Sequence, residues 1–265
     1  MKIKKIICSI IVFVLSCGMV INTNALSKSS NTYYQEKGQF NINNSASRTA
    51  NNELELFLKD NPEIKSEIES NRDKGLELEA LSYTRIYLKE VSDSNGIHFE
   101  PVSVEEMRST RAQSTSYNNL TLSLQLYKDS WNPGYASVNE QAVWSGAPGS
   151  SGPNNANDDF MALTVAQNYS ITSHGMYGVM TGQAMKDRSG NGVSYRFREN
   201  SGSQTLTTNN TYSNYSGQRL FVGLYVHTWN TTNVSFGFTA TGPTVSISGS
   251  SDNWQIGVDL VRNYD

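Results

Sequence analysis

From residue 118 to the C-terminus the chain is a succession of short runs of strand-forming residues, each cut off by a turn cluster. No long helical period interrupts them. The clearest run covers residues 120–127. There Leu120, Leu122, Leu124 and Leu126 alternate with Thr121, Ser123, Gln125 and Tyr127. A period of two puts the leucines on one face, which predicts a half-buried strand. Further runs are expected at 135–144, 159–166, 175–181, 193–198, 204–208, 220–228, 234–240, 244–248 and 254–261. Clusters such as "SGAPGSSGPNNAND", "RSGNG", "WNTTN" and "TGP" separate them. About ten short strands at this spacing predict an antiparallel sandwich or barrel and disfavour a parallel α/β sheet. The expected fold class is mainly β: an antiparallel β-sandwich over residues 113–265, preceded by a small α+β or helical N-terminal segment.

Within this half, Arg219 is the only charged residue between Glu199 and Asp252. The stretch "RLFVGLYVHTWNTTNVSFGFTATG" (219–242) holds two apolar runs of different character. In the second, Val234, Phe236, Phe238 and Ala240 alternate with Ser235, Gly237, Thr239 and Thr241, the pattern of a strand with lipid on one side and water on the other. In the first, Leu220, Val222, Leu224 and Val226 share a face, but Phe221 and Tyr225 occupy the other. That suits a strand buried on both sides. The two runs are expected to be adjacent strands of the sandwich core, with Trp229 exposed at their turn. Membrane insertion is kept as a second state.

The N-terminal part differs in chemistry. Lys2, Lys4 and Lys5 precede an apolar run over 6–21, and Thr23 and Ala25 supply small residues after it. This reads as a signal peptide (1–25) with cleavage after Ala25, and so as a secreted, extracellular protein. Both cysteines, Cys8 and Cys17, lie in that segment. A mature chain from Leu26 would then have no disulfide, zinc–thiolate site or cysteine nucleophile. Residues 26–50, poor in apolar groups, are expected to be a flexible leader. Residues 51–112 are dense in charge and read as an α+β segment. Asn61 and Pro62 open a helix carrying Ile64 and Ile68, Gly75 closes it, and residues 83–91 and 97–102 flank a turn at 93–96. Arg108 and Arg111 then mark a candidate processing site that would make 26–112 a removable pro-segment.

The remaining sequence offers little chemistry. The net charge is -3 with 17% charged residues, which gives nucleic-acid binding no electrostatic support. His98, His174 and His227 lack metal-ligand spacing, and Ser150 and Ser151 do not form a nucleophile elbow. No catalytic residue, metal or cofactor is expected. Asp158 and Asp159 in "NANDDFMALT" are weak candidates for a binding site; Asx turns closing a long loop account for them as well. Trp131 and Trp229 stand at expected loop edges, where an aromatic ring can stack on a sugar or lie at a membrane interface. Trp144 and Trp254 are expected in the core.

The run "VWSGAP", a glycine-rich loop and "DDFMALT", carried by Trp144, Pro148 and Asp159, resembles a group of secreted, poorly characterised Gram-positive β-proteins that includes a large heat-labile Bacillus-type bacteriocin. The resemblance covers roughly residues 135–164, the export signal and the overall length. It implies an exported, non-enzymatic antibacterial or envelope-active protein, and carries over no site residue. Its partner would be the bacterial cell envelope: membrane or wall glycan. A glycan-binding module and a hydrolase with an unrecognised site are the alternatives, and the oligomeric state is left open.

Overall fold

The computed structural model describes residues 33–42, 48–94, 96–109, 117–131, 134–145, 158–165, 171–178, 181–198, 204–213, 217–229, 232–249 and 253–264. The signal segment, Ala25, Arg111, Pro148, Ser150 and Ser151 lie outside these residues. The chain is mainly β, and every described strand pairing is antiparallel.

The larger sheet begins with β1 (Gln35–Asn41) on β2 (Leu76–Asp93) and continues through β4 (Asn118–Asp129), β5 (Tyr135–Ser145), β10 (Gln204–Ser213) and β7 (Ile171–Gly178). The short β3 (Gly96–Pro101) also pairs with β2, beyond the end of β1. The smaller sheet has the order β14 (Asn253–Tyr264), β11 (Gly217–Thr228), β6 (Asp159–Val165), β9 (Gly192–Arg198) and β8 (Thr181–Arg188). A third sheet is a lone hairpin of β12 (Thr232–Thr239) and β13 (Gly242–Gly249).

Both main sheets contribute to one hydrophobic cluster. Leu120, Leu122, Leu124 and Leu126 of β4 enter it from one side, and Ile256, Val258 and Leu260 of β14 from the other. Trp144 and Trp254 are both buried in it, as expected from sequence. The leucine alternation therefore marks the inner face of β4. The strand is not half-buried, however: Thr121, Ser123, Gln125 and Tyr127 are buried too. Their face lies under a helix pair, α1 (Arg48–Asp60) and α2 (Pro62–Asp73), whose Phe57 and Ile64 pack on Leu81 and Val143. The covered face remains polar because its groups satisfy one another. Tyr127 Oη donates to Gln125, Gln125 Nε2 donates to Gln141 at 2.6 Å, and Asn139 Nδ2 donates to Glu67 of α2 at 3.0 Å.

Three expectations change here, and one candidate processing residue, Arg108, is placed in the fold. Residues 35–41, read as part of a flexible leader, form β1 and pair with β2. The change of composition near residue 112 does not coincide with a break in the sheet, since β2 and β4 pair from Leu76↔Asp129 to Leu88↔Asn118. Arg108 lies in a short helix, α3 (Val104–Ser109). Residues 220–240 are not adjacent paired strands: β11 has β6 and β14 at its two edges, so β12 pairs only with β13. The two-sided burial of β11 was legible; its partners were not.

Candidate functional site

The hairpin β12–β13 carries no charged residue. Its register matches like with like. Val234 faces Ile247, Phe236 faces Val245 and Phe238 faces Pro243, while Ser235 faces Ser246 and Asn233 faces Ser248. One face is therefore apolar and the other is built from small polar residues. The apolar face is laid against the outer surface of the smaller sheet. Val234 and Val245 are buried there with Phe160 and Val226, and Leu224, Phe236 and Ile247 pack around them. The Asn233, Ser235, Ser246 and Ser248 side of the hairpin is exposed.

The hairpin rests on the body through a few polar ties. The Phe236 N–H donates to Asp187 of β8 at 3.2 Å, and Asn191 Nδ2 donates to the Thr239 carbonyl at 3.3 Å. Near the tip the Phe238 ring lies directly on Gly192. A Cβ there would stand 2.1 Å from Phe238 Cδ1. Gly192→Ala is therefore expected to push the ring off and raise protease cleavage and amide exchange within residues 232–249. Urea unfolding of the whole chain should move by about 1 kcal/mol or less, because the main core is untouched. Unchanged hairpin exchange would count against this docking.

At its other end the hairpin leaves from a buried aromatic and polar cluster. Asp158 and Asp159 are consecutive on the strand edge and so point to opposite faces. Asp159 is 2% exposed and turned inward. Its Oδ2 accepts from Tyr225 Oη at 2.6 Å and from His227 Nδ1 at 2.8 Å; its Oδ1 accepts from the Thr228 N–H at 2.9 Å. Trp144 Nε1 in turn donates to Tyr225 Oη at 3.1 Å. Asp158 faces outward and meets Arg198 at 2.9 Å and Arg196 at 3.4 Å. Thus the two candidate acids do not converge on one ligand. Among the described residues no group of three or more His, Cys, Asp or Glu could hold a metal ion.

Trp229 is not exposed at a turn as expected. It is half-buried and stacks on His98 of β3, ring centroids 4.6 Å apart and 8° from parallel. His98 Nε2 in turn lies 3.2 Å from Glu100 Oε1. Trp229 follows β11 directly, and β12 starts at Thr232, so this stack holds the root of the hairpin to the larger sheet. Trp131, by contrast, does reach solvent, at 83% exposure. Its ring covers Gly75, whose φ of +82° and missing Cβ allow the approach, and its backbone N–H donates to Asp129 Oδ1 at 2.9 Å. Trp131 and Trp229 therefore belong to different places in the fold. Sequence reasoning missed Asp187, Asn191, Gly192 and His98 as partners of the hairpin. All four come from elements far away in the chain, and the local signal among them was the turn cluster that holds Asn191 and Gly192.

No family model matches the chain, and no curated protein matches its sequence. Among solved structures it is similar to one described as a pore forming protein, at 7% identity over 71% of this chain and 96% of that one, with a TM-score of 0.30. It is also similar to the Clostridium perfringens NetB toxin in the membrane inserted form, at 6% identity over 68% and 96% of the two chains, with a TM-score of 0.25. Scores this low do not establish a shared fold. Among the described residues no helix is long and apolar enough to cross a membrane, which says nothing about crossing with strands.

Proposed function

We propose that the chain is a secreted, non-enzymatic, bacteriocin-like protein that acts on a bacterial envelope by moving the β12–β13 hairpin from its own surface into a lipid bilayer. The two main sheets would be the β-sandwich that stores the hairpin. The observation that carries this reading is the hairpin's matched register: a continuous apolar face on the body, a small polar face in water and no charge in either strand. Exchanging protein for lipid against the apolar face costs little hydrophobic free energy, because lipid tails are as apolar as the side chains they replace. The serines and asparagine would line water.

Two strands leave unpaired backbone groups at both edges, which a bilayer does not tolerate. Closure into a barrel of at least about eight strands then needs about four copies or more. Each strand has 8 residues, just short of the about 9–11 that a spanning strand uses. The sequence on either side of the hairpin, residues 230–231 and 250–251, is also uncharged.

The test uses single cysteines at Val245, Ser246, Ile247 and Ser248 in a chain with Cys8→Ser and Cys17→Ser, each carrying an environment-sensitive dye. On dye-loaded vesicles the expected result is leakage, with emission alternating between lipid-like at 245 and 247 and water-like at 246 and 248. No leakage, or no alternation, removes the reading.

A further inference from the structure

The inner face of β5 reads Ala136, Val138, Glu140, Ala142, Trp144. Four of these five are core residues; the central one is an acid. Glu140 is 0% exposed, and neither carboxyl oxygen has a hydrogen-bond partner. It points across the gap between the two sheets at Gly223 of β11. A Cβ at that glycine would stand 2.5 Å from Glu140 Oε1 and 3.1 Å from Val258 Cγ1, so the carboxyl occupies room that only a glycine leaves. Unpaired ionised carboxylates are not stable in such a place; the group keeps its proton or the place opens to water.

We propose that Glu140 is a proton-operated switch on the packing of β11, the strand on whose outer face the hairpin lies. With its proton the sheets close over the neutral acid. Without it they must part or admit water, and the strand that moves is the one whose opposite face carries Leu224 and Val226 beneath the hairpin. The neighbouring groups do not relieve the charge. Leu124 beside it on β4 and Val258 on β14 are apolar. On β10 Tyr212 is 1% exposed with an unpartnered hydroxyl, and on β9 Tyr195 spends its hydroxyl on His174 of β7 at 3.2 Å. Arg188 of β8 acts on Tyr195 and His174. Arg219, buried on the same face of β11 four residues before Gly223, and the inward-turned Asp159 of β6 are the other charged groups on this side among the described residues. Burial pushes the Glu140 carboxyl well above the usual carboxylate range. The nearby Leu224 N–H, outside hydrogen-bond geometry, opposes this only in part.

The sign follows from proton counting. The folded chain holds a proton that the unfolded chain releases above about pH 4.3, so stability falls as pH rises between the ordinary glutamate pKa and the raised one, and is level in this respect below it. The folding equilibrium constant should drop about tenfold per pH unit in that window. In Glu140→Gln this component should be absent, so that wild type and variant diverge as pH rises above the ordinary glutamate range, until the raised pKa is passed. Amide protection of β11 and β12–β13, corrected for intrinsic exchange, should fall with pH in the wild type and stay level in the variant.

Equal pH slopes in urea unfolding for the two proteins would overturn the proposal. So would protection of β11 and the hairpin that is independent of pH in both. If Glu140→Gln does not fold, carboxyl carbon-13 spectra of glutamate-labelled wild type decide it. One glutamate that keeps its proton well above the usual carboxylate range is expected, and ordinary titration of every glutamate overturns it. None of these readouts needs a membrane, so they stand or fall separately from bilayer insertion.

Discussion

Asp159→Ala is expected to lower folding stability by about 3–5 kcal/mol, a large effect for one substitution in this chain. The carboxylate receives the Tyr225 hydroxyl, His227 Nδ1 and the Thr228 N–H inside a site that is closed to water. Removing it takes a shared acceptor away from three buried donors, and each lost hydrogen bond to a buried group carries a desolvation cost. Asp159→Asn should recover only part of the loss. Its oxygen can accept on one side, but its amide nitrogen then faces donors on the other. Urea unfolding at an unchanged denaturant slope measures the difference. His227→Ala should cost much less in the Asp159→Ala background than alone, because the two act as one unit. A loss below about 1 kcal/mol for Asp159→Ala would mean that the network does not hold this end of the two sheets together.

Much of the inner architecture was legible because it is written in local periodicity. The leucines of β4, the two-sided apolar character of β11 and the amphipathic β12 each declare their burial within eight to ten residues. Asn61, Pro62 and Gly75 marked the bounds of α2 for equally local reasons. What was not legible depends on contacts between distant segments. The outer face of β4 is polar in sequence, and nothing local says that α2 will cover it. β1, written "QEKGQFN", has the composition of a solvated tail; only its pairing with β2 makes it a strand. Expected as one strand, residues 175–181 divide between β7 in one sheet and β8 in the other. The nearest run to β11 in sequence is β12, so a hairpin was the default reading. Competition from β6 and β14 for its two edges prevents it. That same competition leaves β12–β13 as a separate sheet, the property on which the proposed function depends. In sequence Asp159 reads as a possible ligand-binding acid, but its partners lie more than sixty residues away. Glu140 did leave a local trace: one acid at the centre of an apolar face.

The second large effect concerns the hairpin itself. A disulfide between Gly192→Cys and Phe238→Cys would tie its tip to β9. The Cβ positions stand 2.8 Å apart as built, about 0.7 Å inside the usual lower limit of 3.5 Å. Removing the Phe238 ring in the same variant gives the backbones freedom to adjust. The background would carry Cys8→Ser and Cys17→Ser, so that only this pair can form. Resting structure and vesicle binding should survive the lock, since neither needs the hairpin to leave. Dye release should not. The most direct measurement is therefore vesicle leakage by this variant, oxidised and then reduced in the same cuvette. Hairpin release predicts no leakage above background while the disulfide is closed, and recovery to the level of the reduced control once it is opened. Leakage at that control level with the disulfide closed would contradict it.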